Sequence, residues 1–109
     1  MKHNEKKLLI DNLIKDFSFY LSTFVPNKVS QELATETRSV FLYYLKNKVE
    51  EVFLFIKKDQ NQWQGTFRIC PAYYMNDEKL ESMEKYLVKN VQVLSIKDFY
   101  LNNVHKYGI

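Results

Sequence analysis

The 109-residue chain has 16 basic and 13 acidic side chains, a net charge of +3, 46% hydrophobic residues, two glycines and one cysteine. Such a balance excludes a disordered or collagen-like chain, and the glycines are too few for a dinucleotide fingerprint, while a Gly-Lys-Ser/Thr phosphate loop is absent. A lone cysteine, Cys70, leaves no intrachain disulfide and points to a reducing compartment.

Residues 5–24 form the first predicted element. Ile10, Leu13, Ile14, Phe17, Tyr20, Leu21 and Phe24 recur at three- and four-residue steps, one face of an amphipathic helix. Asn4 is placed to cap it, Glu5 sits at its positive end, and Pro26 is expected to stop it. The apolar run Leu8-Leu9-Ile10 meets Asp11 at once, so no signal peptide is expected, and no stretch has the length of a membrane span. Residues 27–37 are polar, with Ser30 able to cap a short helix carrying Leu33 and Ala34.

Residues 38–70 read as a three-stranded meander: 39–45 (SVFLYYL), 49–58 (VEEVFLFIKK) and 63–70 (WQGTFRIC), with turns at Lys46–Lys48 and Asp59–Gln62. In the third run Trp63, Gly65, Phe67 and Ile69 alternate with Gln64, Thr66 and Arg68, the mark of a half-buried strand. A helical reading of 30–56 also fits a 3.6 period. It leaves Phe53-Leu54-Phe55-Ile56 with apolar groups on every side, so strands are preferred. Residues 76–90 predict a second helix, with Asn76 as cap, Leu80, Met83 and Leu87 as its stripe, and Glu81 four residues before Lys85. Residues 91–96 read as a strand, and 98–107 as a short helix holding Phe99, Leu101 and Val104 against the core. The fold expected is a single α+β domain over residues 1–109: an antiparallel sheet of three to four strands packed against the N-terminal helix and the second amphipathic helix.

Chemistry is harder to find. The two histidines lie near opposite ends of the chain, away from the cysteine, and make no metal spacing. Cys70, His105 and Asp98 supply the residue types of a thiolate–imidazole triad, but a strand-end cysteine is ordinarily inert packing. Glu50 and Glu51 point to opposite faces of a strand, and Glu78, Glu81 and Glu84 alternate with lysines on a solvated helix face, so acid–base catalysis is not supported. Neither catalysis nor a cofactor is expected.

Binding remains. Lys2, Lys6, Lys7 and Lys15 on the first helix, and Lys57, Lys58 and Arg68 near Trp63, Tyr73 and Tyr74, suggest nucleic-acid or ribosome association. Against it stand only two arginines and a dispersed aromatic set. Protein binding is favoured. Trp63, Tyr73, Tyr74 and Tyr100 are interface-type aromatics, joined by Arg68 and by the acidic residues Asp77, Glu78 and Glu81. The aromatic connector 71–75 (PAYYM) is unusual for a loop. The reading is a small cytoplasmic protein, a stoichiometric inhibitor of immunity or antitoxin type or an adaptor, whose partner is another protein. A chain rich in lysine, asparagine, tyrosine and phenylalanine suits a low-GC bacterial genome.

Overall fold

The structure, a computed structural model, describes residues 3–46, 50–70 and 91–107. It is an α+β fold of helices and one three-stranded antiparallel sheet. The chain divides into two compact units, Met1–Val49 with Asp98–Ile109, and Glu50–Lys97.

The first unit is helical. Helix α1 (His3–Leu21) buries Leu9, Ile10, Leu13, Phe17 and Leu21 along one stripe. Each such side chain contributes roughly 1.5–3 kcal/mol when fully buried. Ile14 and Phe24 stay half-buried and Tyr20 is exposed, so the apolar stripe is narrower than the sequence suggests. The helix ends earlier than the proline. Ser22 Oγ donates to the Phe19 carbonyl at 2.6 Å, and Thr23 Oγ1 donates at 2.8 Å to the Tyr20 carbonyl, which also accepts from the Thr23 N–H. Pro26 is instead the N-cap of α2 (Asn27–Glu36). Proline suits that end because it has no N–H to leave unpaired. Ser30 is therefore not a cap. It sits inside the helix, 1% exposed, with its hydroxyl bonded back to the Asn27 carbonyl at 2.8 Å.

Residues 39–45 are not a strand. They belong to helix α3 (Arg38–Lys46), which follows α2 after the single residue Thr37. Thr37 keeps right-handed helical dihedrals and is fully buried, its hydroxyl donating to the Leu33 carbonyl at 2.7 Å. The physical reason is visible in the burial pattern. Leu33, Ala34, Thr37, Phe41 and Tyr44 are all buried, and their spacing continues one helical stripe across the junction. That shared face outweighs the β-propensity of Val40, Phe41, Tyr43 and Tyr44, which is weak and context-dependent.

Strands β1 (Glu51–Asp59) and β2 (Gln62–Cys70) pair antiparallel over nine positions, from Glu51 opposite Cys70 to Asp59 opposite Gln62. Strand β3 (Val91–Ser95) pairs antiparallel with the other side of β1, giving the order β2-β1-β3. The meander is thus two consecutive strands, and the third arrives from later in the chain. β1 is central because its run Val52–Ile56 is apolar on both faces. Val52, Leu54 and Ile56 are buried on one, and Phe53 on the other.

The β1–β2 connection is a two-residue turn with Gln60 at φ 49° and Asn61 at φ 67°. Two positive φ values match the right-handed twist of the flanking strands. Asparagine tolerates that region, whereas glutamine there costs about 1 kcal/mol. Gln60→Gly is accordingly expected to raise stability by up to about 1 kcal/mol, read as a higher urea midpoint at constant slope. An unchanged or lower midpoint would contradict the assignment of strain to this residue.

Helix α4 (Ile96–Asn103) and a closing 3-10 turn (Val104–Tyr107) complete the chain. Starting the helix at Ile96 puts Ile96, Tyr100 and Val104 on the buried stripe, at 0%, 6% and 8% exposure, while Leu101 is 50% exposed. Phe99 does join the core of the helical unit, its ring centroid 4.8 Å from that of Phe17 and 6.1 Å from that of Phe41. Two carboxylates of α1 hold side chains from later elements. Arg38 meets Asp11 at 2.6 Å, and the Tyr107 hydroxyl donates to the Asp16 carboxylate. The Arg38–Asp11 pair is partly exposed on both sides, so its net contribution is at most about 1 kcal/mol.

Candidate functional site

The side chains selected from the sequence fall in three places. Tyr73, Tyr74, Asp77, Glu78 and Glu81, with the connector 71–75 and the helix over 76–90, lie outside the described residues. Trp63 and Arg68 both lie on β2 but on opposite faces. Trp63 is opposite Lys58 and on the side of Ile56 and Leu54, whereas Arg68 is opposite Phe53. An odd separation along a strand always does this. Tyr100 is a correction. It is packed between Phe41 and Tyr44, with centroids at 6.3 and 5.2 Å, and belongs to the core rather than to an accessible surface.

Burial raises the Tyr100 hydroxyl above its ordinary pKa of 10.0, because the phenolate is costlier to bury than the phenol. The folded state then holds this proton more tightly than the unfolded state. Its contribution to stability is complete below pH 10 and is lost as the pH rises through 10 toward the raised value. Tyr100→Phe should therefore lower Tm less than the parent does on going to higher pH. Parallel loss in both proteins, followed by scanning calorimetry, would remove the claim.

At the hairpin, Trp63 is half-buried and the Lys58 ammonium lies 5.4 Å from its ring centroid. This cation–π contact is worth about 0.5–1 kcal/mol at an exposed site and occupies one face of the indole. Lys57 and Arg68 are exposed on the opposite face of the sheet from the Lys58–Trp63 pair. On that opposite face Glu51 accepts from Ser95 Oγ at 3.3 Å and lies 3.7 Å from Lys97 Nζ.

A concavity lies in the helical unit. An open groove of about 550 Å³ runs between α1 and α2, with Ile14 and Phe19 as its apolar lining and Lys15, Asn27 and Gln31 exposed along it. Its hydroxyls are engaged locally. Ser18 and Ser30 meet at 3.4 Å, Ser30 and Ser22 bond to backbone carbonyls, and Thr35 bonds to the Gln31 carbonyl. Asp11 and Asp16 hold Arg38 and Tyr107. Phe19 is 78% exposed at this groove, and Leu8, 62% exposed, lies eleven residues earlier. Eleven residues are close to three whole turns, so Leu8, Lys15 and Phe19 share one line along the helix. The sequence carried this signal as two apolar residues off the main stripe of α1.

Among the described residues, no group of three or more His, Cys, Asp or Glu could hold a metal ion. His105 is exposed in the closing 3-10 turn and Asp98 lies in α4, so the two do not share one α-helix. The side chain of Cys70 lies outside those described. No described helix is long and apolar enough to cross a membrane. No family model matches the chain, and no curated protein or solved structure matches it significantly.

Proposed function

We propose that this chain is a small cytoplasmic protein-binding protein that receives a segment of another protein in the groove between α1 and α2, with Phe19 as the anchor. The observation that carries the reading is the 78% exposure of Phe19 at a concave surface. A phenylalanine held in water beside a groove costs free energy that burial by a partner recovers, and anchors of this kind dominate interface energetics. A groove between two helices suits an amphipathic helix laid along it. Leu8 and Phe19, about 16 Å apart along the axis, meet the apolar stripe of such a helix, and Lys15 between them selects a carboxylate beside that stripe. Stoichiometric inhibition, as by an immunity or antitoxin-type protein, and bridging by an adaptor are the two forms that such binding takes.

The test is affinity capture from native lysate with the parent, Phe19→Ser and Trp63→Ala. A protein retained at fixed ratio by the parent and by Trp63→Ala, but bound about thirtyfold more weakly by Phe19→Ser, is the expected result, equivalent to a loss of ~2 kcal/mol. Undiminished binding by Phe19→Ser would overturn the assignment. The alternative, nucleic-acid or ribosome association, draws on Lys57, Lys58 and Trp63 at the hairpin. It is less well supported, since the cations divide between two faces and Lys58 covers the ring that would stack. Capture that disappears with nuclease and falls steeply with salt would favour it.

A further inference from the structure

Strand β2 is an edge of the sheet, and among the described residues it forms a ladder with β1 alone. Gln62, Gln64, Thr66, Arg68 and Ile69 along it are exposed. Proteins ordinarily blunt an edge strand with a short length, lysine, proline or a bulge. Here β2 runs for nine residues in unbroken register, without proline and with Arg68 as its one charge, while the opposite edge, β3, is five residues long.

The turn fixes which backbone groups face outward. A two-residue hairpin makes its closing pair, Asp59 and Gln62, a hydrogen-bonded pair, and such pairs alternate with non-bonded ones along the ladder. Residues 64, 66 and 68 therefore turn their N–H and C=O groups toward β1. Trp63, Gly65, Phe67 and Ile69 turn theirs away from it.

From this arrangement we infer that β2 pairs antiparallel with β2 of a second copy of the chain, about a two-fold axis at Thr66, to make one continuous six-stranded sheet. This is a property separate from the groove on α1 and α2. The strand is self-complementary in that one register. Gly65 then faces Phe67 of the partner and Trp63 faces Ile69, and these are the residues whose backbone groups point outward, so each pair exchanges both hydrogen bonds. A large ring over a glycine, and an aromatic beside a β-branched side chain, are favourable cross-strand pairs. The apolar side chains all fall on the face that carries Val52, Leu54 and Ile56. Ile69, 67% exposed in the single chain although opposite the buried Val52, gains a neighbour. The register also suits the charge. Arg68 meets Gln64 of the other copy, so the single cation of the strand never faces itself, and Thr66 faces Thr66.

Sedimentation equilibrium over a wide concentration range tests the inference. The parent is expected to reach twice its 13.1 kDa mass. Ile69→Lys and Gln64→Lys should each raise the dissociation constant at least tenfold, and both positions are exposed, so the fold is not at risk. Gln64→Glu should lower it, with a gain that salt removes, because each carboxylate then faces an arginine. Register is read independently by thiol cross-linking in a Cys70→Ser background. Thr66→Cys should give a disulfide-linked dimer on mild oxidation, since the two residues face each other across the axis, whereas Gln64→Cys should not. A monomer at every concentration, or equal shifts with Gln64→Lys and Gln64→Glu, would overturn the proposal. Equal cross-linking at both positions would overturn the register. None of these outcomes depends on Phe19, so the groove reading stands or falls apart from them.

Discussion

Replacing Phe17 with alanine is expected to cost about 3–5 kcal/mol, the largest loss from any single truncation in the helical unit. Phe17 is fully buried in the C-terminal half of α1. Its ring meets Phe41 edge-on at 5.9 Å and 80°, and packs at 4.8 Å against Phe99, so one side chain joins α1 to both α3 and α4. Truncation removes the transfer free energy of the ring and leaves a cavity whose walls belong to three helices. Aromatic walls collapse poorly, which places the cost toward the upper end of the range. Domains of this size are stable by only about 5–15 kcal/mol, so the variant should sit near the threshold of folding at 37 °C. Phe17→Leu keeps most of the volume and should cost about 1–2 kcal/mol. Urea denaturation at 25 °C measures both. A loss below 1 kcal/mol for the alanine variant would mean that the aromatic cluster is not the centre of this core.

The second large effect belongs to Leu54. It is fully buried at the middle of the central strand, opposite Phe67 on one side and Leu94 on the other. Leu54→Ala therefore deletes a large side chain at a position shared by both ladders and should cost about 2–5 kcal/mol. The contrast within the sheet is sharp. Ile69→Ala, at a position 67% exposed in the single chain, should change monomer stability by less than ~0.5 kcal/mol. If the two substitutions had similar effects at a protein concentration where the chain is monomeric, the burial described for β1 would be wrong.

Much of this fold is legible in the residues. The stripe on α1, the two strands around Asp59–Gln62, the strand at 91–95 and the short C-terminal helix all follow from periodicity and turn chemistry. Residues 39–45 mislead because local composition and long-range period disagree there. Four of those seven residues favour strands by type, and the helical stripe appears only when Leu33, Ala34 and Thr37 are read together with Phe41 and Tyr44. A one-residue matter of phase explains Tyr100. Taking Ile96 as the end of a strand hides that it opens a helix, and the buried set then shifts from Leu101 to Tyr100. The candidate site was less legible for two reasons. Trp63 and Arg68 belong together by chemical type, but their alternation along the strand places them on opposite faces. Phe19 does not stand out in the sequence, because an aromatic residue on the polar side of a helix has no periodic partner there, and only the neighbouring α2 turns it into the lining of a groove.

The turn at Gln60 and Asn61 bears on how the hairpin comes to exist at all. A connection whose first residue is held in a disfavoured conformation cannot seed the pairing of its own strands, because the local geometry opposes closure until something else holds it. The order of events then runs inward to outward. The large side chains of Val52, Leu54 and Ile56 find Ile69 and Phe67 first, the alternation of faces selects the register, and the bend closes last. Gln60→Gly is accordingly expected to slow unfolding and to leave the folding rate unchanged, as stopped-flow kinetics would measure.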